Sequence, residues 1–149
     1  MKTLDLHTVA ISKENLMNEL LSKTNEPLYI LVVDDLRVNY LLMKAVLGKF
    51  NPVFSYCDSG IKAVEHIQSG MPCDLILMDY NMPGMDGTTA TEIIKSIRPN
   101  LPVISISTFS GNPAFVANDQ CYDSYLSKPV NAEALINEVY KLLSAKTDE

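Results

Sequence analysis

Apolar residues in this chain gather into five short runs, and the segments between and after them repeat with the period of a helix. The runs are Tyr29–Val33, Val53–Cys57, Leu75–Met78, Val103–Ser107 and Ser124–Ser127. The first, third and fourth are nearly continuous in Ile, Leu and Val, as expected of strands covered on both faces. Val38, Leu41, Leu42, Ala45 and Val46 follow i, i+3, i+4, i+7, i+8, which predicts a helix with that stripe turned inward. Ala90, Ile93, Ile94 and Ile97 repeat the pattern, as do Ala132, Leu135, Ile136, Val139, Leu142 and Leu143. Ala63, Val64 and Ile67 mark a further helix, with Ser59 as its N-cap. Asn112 and Pro113 offer a cap and a first-turn proline for a fourth helix, although the stretch to Cys121 has a poor apolar stripe. Five strand–helix units imply a parallel sheet with right-handed crossovers and helices on both faces. Residues 1–27 precede these units as an extension or linker, in which Ser12 to Lys23 can form a helix with Leu16, Leu20 and Leu21 on one side. The units themselves occupy residues 28–149.

Composition narrows the class. A chain of 149 residues fits one domain, with a core large enough to need no disulfide or metal staple. The formal net charge of −6 argues against a nucleic-acid partner, which calls for clustered Lys and Arg. No apolar run approaches the ~18 residues of a membrane span, and no signal-peptide core interrupts the polar N-terminus, so a cytoplasmic protein without a membrane partner is expected. Cys57, Cys73 and Cys121 are scattered and read as reduced thiols. His7 and His66 are expected at the surface rather than as ligands.

In an open parallel sheet, ligands bind beyond the carboxyl ends of the strands. The first strand runs into Asp34 and Asp35, the third into Asp79, the fourth into Ser107 and Thr108, and the fifth into Lys128 and Pro129. Taken singly, each has an ordinary structural explanation: a helix-capping Asp, a buried hydroxyl, a surface lysine. Together they bring three carboxylates, a hydroxyl and an ammonium to one rim from four strands, which no packing pattern requires. Two carboxylates 4 Å apart repel by ~4 kcal/mol at an effective dielectric of 20. A divalent cation relieves this, and an all-oxygen set without His or Cys suits Mg²⁺ better than Zn²⁺. Lys128 can hold an anionic oxygen and Ser107 can donate a hydrogen bond to the same group. That combination suits a phosphoryl group carried on a carboxylate.

At these residues the sequence resembles the receiver domains of bacterial response regulators and hybrid kinases. The resemblance runs from about Leu28 to Leu143. Its strings are VDD from Val33 to Asp35 with Asn39, DLILMD from Asp74 to Asp79, MPGMDG from Met82 to Gly87, and YLSKP from Tyr125 to Pro129. It implies an α/β fold of the flavodoxin-like (βα)5 type, a doubly wound parallel sheet with strand order 2-1-3-4-5. Asp79 then resembles the phosphoacceptor. Asp35, Asp79 and the backbone carbonyl of Asn81 resemble direct Mg²⁺ ligands, while Asp34 acts through metal-bound water. Ser107 and Tyr125 resemble the switch pair, Lys128 the family lysine, and the Lys128–Pro129 bond is expected to be cis. The implied partners are a sensor histidine kinase or histidine phosphotransfer protein, a downstream protein, and a second copy in a phosphorylation-dependent homodimer. The implied role is a switch rather than a turnover enzyme.

The sequence departs from the family pattern in one region. Thr108 follows the switch hydroxyl where Ala or Gly is usual, and Phe109 comes next; both crowd the path of hydrolytic water and favour a long-lived phosphoryl group. Cys121 and Tyr122 replace the usual Gly-Ala turn before the last strand, and the segment from Ser107 to Lys128 is about one residue short. Two other functions compete. A phosphatase of the haloacid-dehalogenase type also uses a nucleophilic Asp and Mg²⁺, but its second Asp is replaced here by Asn81. A pseudo-receiver, binding partners without phosphorylation, does not require Asp34, Asp35, Asp79, Ser107 and Lys128 together.

Overall fold

The computed structural model describes residues 6–108 and 121–147, with side chains described for 13–108 and 121–146. The expected fourth helix near Asn112, and Phe109, lie outside the described residues. In chain order the elements are α1 (Leu6–Ser22), β1 (Tyr29–Val33), α2 (Arg37–Leu47), a 3-10 turn (Gly48–Phe50), β2 (Val53–Cys57), α3 (Gly60–Gln68), β3 (Leu75–Asp79), α4 (Gly87–Ile97), β4 (Val103–Ser107), β5 (Ser124–Ser127) and α5 (Ala132–Thr147). The five strands form one parallel sheet in the order β2-β1-β3-β4-β5.

Alternation along each strand divides the core into two layers. Ile30, Val32, Leu75, Leu77, Ile104 and Ile106 face α2 and α5. Leu31, Val33, Ile76, Met78 and Val103 face α3 and α4. Every residue of β3 and β4 is buried, including the polar Ser105, Ser107 and Asp79 among their aliphatic neighbours. Two carboxylates finish the lower edge: Asp74 Oδ2 accepts from Tyr29 N–H (2.8 Å), and Asp123 Oδ2 accepts from Val103 N–H (2.8 Å).

The N-terminal helix α1 inserts Met17, fully buried, into the layer formed by α2 and α5, and Glu14 pairs with Lys49. In α3, Ser59 caps as expected, its Oγ accepting from Lys62 N–H at 3.2 Å. His66 departs from expectation. Its ring is half-buried, with Nε2 enclosed and unpartnered, and burial lowers its pKa.

Helix α2 is turned the other way from the stripe read in the sequence. Tyr40, Met43 and Leu47 are buried, whereas Val38 (58%), Leu41 (48%) and Leu42 (60%) are exposed. Both sets fit a 3.6-residue period, so periodicity alone leaves the helix phase open. The phase is set by anchors. Asn39 Nδ2 donates to Asp34 Oδ1 (3.2 Å), and the Tyr40 ring stacks on Tyr56 of β2, with centroids 4.6 Å apart and planes at 16°. Met43→Ala is therefore expected to cost ~2–5 kcal/mol. Leu42→Ala should stay within about 0.5 kcal/mol of the parent. Urea unfolding of the two variants checks the orientation; equal losses would contradict it.

Candidate functional site

Val33 pairs with Cys57 on one side and Met78 on the other, so the chain leaves β1 at the centre of the sheet. The next residue, Asp34, is fully buried, and both of its carboxylate oxygens accept hydrogen bonds. Its Oδ1 accepts from Leu36 N–H (2.9 Å) and Asn39 Nδ2 (3.2 Å), forming the turn into α2. Its Oδ2 accepts from Lys128 Nζ at 3.1 Å. Its backbone carbonyl accepts from the Tyr56 hydroxyl at 2.8 Å. Tyr56 thus fixes the carboxylate turn from the neighbouring strand. Sequence reading missed it, although its position beside Val32 in the β1–β2 register is the signal that finds it.

Asp79 ends β3, with 4% of its surface exposed, and accepts from the same Lys128 ammonium at 3.1 Å. Asp35 stands beside them, exposed, and carboxylate oxygens of Asp34, Asp35 and Asp79 lie within 4.8 Å of one another. This donor set is all oxygen, with one exposed member open to water, and fits Mg²⁺ in chemistry. The loop after β3 is built to bring α4 close. Gly84 takes φ +79°, Asp86 caps α4 by accepting from Thr89 N–H (2.7 Å), and Gly87 N–H donates to Tyr80 O (3.0 Å). A Cβ on Gly87 would sit 2.2 Å from the Asp79 carbonyl oxygen, so only glycine fits there.

The remaining expected residues take these places. Asn81 is exposed in the loop two residues after Asp79. Ser107 is buried at the end of β4, one residue past Ile106, which pairs with Asp79. Thr108 is exposed at the rim. Tyr125 lies on β5 opposite Ser105 and is 38% exposed. The Lys128–Pro129 bond is cis.

Burial, and then the Asp34 charge, push the Asp79 carboxyl up to about 6, against the opposing pull of Lys128. Burial alone would lower Lys128, but its hydrogen bonds to Asp79 and Asp34 outweigh that and hold it above its ordinary value. A carboxyl raised in the folded state favours folding fully below its unfolded pKa, and that advantage is lost as pH rises through the folded value. The stability that Asp79 contributes should therefore fall between about pH 4 and pH 6. In Mg²⁺-free buffer Asp79→Asn should be the more stable form at pH 7, by ~1–3 kcal/mol, with the difference shrinking below pH 4. Urea titrations at both pH values test this. A variant less stable at pH 7 would show that Asp79 is not electrostatically strained.

Comparison with known proteins places this arrangement. The model of the family described as "Response regulator receiver domain" matches residues 30–140. The chain is 34% identical over 129 residues to the signal transduction histidine-protein kinase BarA of Escherichia coli, covering 84% of this chain and 14% of that protein. It is 38% identical over 127 residues to the hybrid signal transduction protein dokA of Dictyostelium discoideum, covering 81% of this chain and 7% of that one. The chain thus spans only a small fraction of these curated relatives. Among solved structures it is similar to the response regulator receiver protein from Sinorhizobium medicae, with a TM-score of 0.72, 30% identity, and coverage of 82% of this chain and 98% of that one. A CheY-like receiver domain from Methanospirillum hungatei shares the fold at a TM-score of 0.74. With its five-stranded order, its acidic rim and a family match across most of its length, the chain belongs to the response regulator receiver domain family.

Proposed function

We propose that this receiver accepts a phosphoryl group from a phosphohistidine onto Asp79 and passes the phosphorylated state to a partner protein by a change of shape. The observation that carries the reading is the Lys128 ammonium shared between two buried carboxylates, beside an exposed third. In the transfer, an Asp79 carboxylate oxygen forms a bond to phosphorus while the N–P bond of the donor breaks. The electron pair of that bond stays on the imidazole nitrogen. Lys128 is placed to pair with a phosphoryl oxygen, and Ser107 to donate to another. Asp34, Asp35, Asp79 and the Asn81 carbonyl would hold Mg²⁺, which supplies positive charge against the crowded oxygens when bound. Ser107 and Tyr125 form the switch, the hydroxyl moving toward the phosphoryl group and the ring toward the space it leaves.

The donor reading is supported by the relatives, which are named as histidine kinases. It is also supported by the exposed face of α2. Leu36, Val38, Leu41 and Leu42 are exposed and apolar on the turns that follow Asp35. From Lys128 a groove of ≈ 180 Å³ runs along this helix between Leu42, Val46 and Val130. An apolar helix of a histidine kinase or histidine phosphotransfer protein laid here would carry its phosphohistidine to Asp79. Among the described residues no helix is long and apolar enough to cross a membrane. A cytoplasmic setting and a homodimer formed on phosphorylation belong to the same reading, with residues 1–27 as an extension of a receiver that spans 28–149.

Asp79→Asn removes the nucleophile at nearly constant volume and should abolish label uptake from a phosphohistidine donor in Mg²⁺. Continued labelling would refute the assignment. Asp35→Ala should weaken Mg²⁺ binding by about tenfold or more; equal titration curves would contradict its place among the ligands. Thr108→Ala should open the rim and shorten the life of the acyl phosphate. A decay time unchanged from wild type would mean that Thr108 does not guard the bond.

A further inference from the structure

Tyr122 occupies the turn into β5, where the family usually carries a small residue. Its ring is 6% exposed and belongs to the core layer shared with α3 and α4. On one side it meets Tyr80, the residue after Asp79, with centroids 6.5 Å apart. On the other it meets Tyr125 edge to face, at 5.8 Å and 66°. Its hydroxyl shares a 3.1 Å hydrogen bond with Thr88 Oγ1 in the first turn of α4. Burial raises the pKa of that hydroxyl, so it stays protonated as a hydrogen-bonding group. The ring is therefore held at its tip by α4 and along its flank by the core, as a fixed wall against which Tyr125 rests.

Edge-to-face tyrosine pairs gain beyond the area they bury. A contact made in one state of a two-state element and not in the other biases the equilibrium between them. We propose that Tyr122 is a positioning residue for the switch: its anchored ring holds Tyr125 in the half-exposed position and so raises the work that phosphorylation of Asp79 must do to turn Tyr125 inward. This rests on the reading of Ser107 and Tyr125 as the switch pair. It adds a resting-state clamp built from a residue outside the family pattern.

Beryllofluoride with Mg²⁺ serves as the phosphoryl mimic, and its affinity for the full chain reads the equilibrium. Tyr122→Leu removes the clamp and should bind beryllofluoride about two- to tenfold more tightly than wild type. Tyr122→Phe keeps the ring and should stay within about twofold. In a Tyr125→Ala background, Tyr122→Leu should change nothing further, whereas a general packing role would persist there. In the wild-type protein, ring-to-ring NOEs between Tyr122 and Tyr125 should be present without beryllofluoride and lost with it. Unchanged or weaker affinity of the Leu variant, an effect that survives in Tyr125→Ala, or persistent NOEs would each overturn the clamp. If the wild type does not bind beryllofluoride through Asp79, the phosphoacceptor reading fails first and the clamp falls with it.

Discussion

The Lys128 ammonium lies 3.1 Å from an oxygen of Asp34 and 3.1 Å from one of Asp79, and the two carboxylates have almost no solvent of their own. Neither charge is tolerable alone in that setting, because an isolated buried carboxylate loses its hydration with nothing in return. The lysine reaches them only because β5 lies at the edge of the sheet beside β4 and carries Lys128 one residue beyond its end. Much else follows from that contact. The turn after β1 is tied by Asp34, the first turn of α2 by Asn39, and the end of β2 by Tyr56, all converging on one buried carboxylate. The carboxylate–lysine cluster is in this sense a folding constraint for the turns around it.

Electrostatics and packing here are arranged in opposition. The two core layers are fully buried through β3 and β4 and mostly aliphatic there, which gives the sheet a rigid floor. Above that floor the rim carries crowded carboxylates, and burial, with the Asp34 charge beside it, raises the Asp79 carboxyl against the pull of Lys128. The stability of the layers offsets a strained rim, and that strain is what added positive charge relieves. Packing and electrostatic strain are thereby divided between the interior of the sheet and its carboxyl edge.

The first, third and fourth strands were legible because burial on both faces leaves a nearly continuous apolar signature, and the third differs only in extending to Asp79. The rim was legible because strand ends in a parallel sheet meet at one edge, so Asp34, Asp35, Asp79 and Lys128 could be gathered without coordinates. Helix α2 was not legible in its phase. Its apolar residues nearly surround it, and the deciding contacts, Asn39 with Asp34 and Tyr40 with Tyr56, are tertiary. Tyr56 escaped notice for a related reason, since its hydroxyl acts through a backbone carbonyl on the next strand and leaves no local motif. His66 shows the same limit, as its enclosure depends on how α3 meets its neighbours.

Gly87 gives the end of β3 a mechanical dimension. With its missing side chain, α4 starts directly on the Asp79 carbonyl, and its N–H is bonded to Tyr80 O. No compressible layer of side chains separates the helix from the strand end, so a displacement of one is delivered to the other undamped. Helix α4 runs from Gly87 to Ile97, roughly 16 Å at 1.5 Å per residue. Pivoting at its first residue, it moves its far end by about 1 Å for each 4° of tilt, by the geometry of a rod of that length. A fulcrum made from one hydrogen atom would turn a small adjustment beside Asp79 into a larger displacement at the far end of α4.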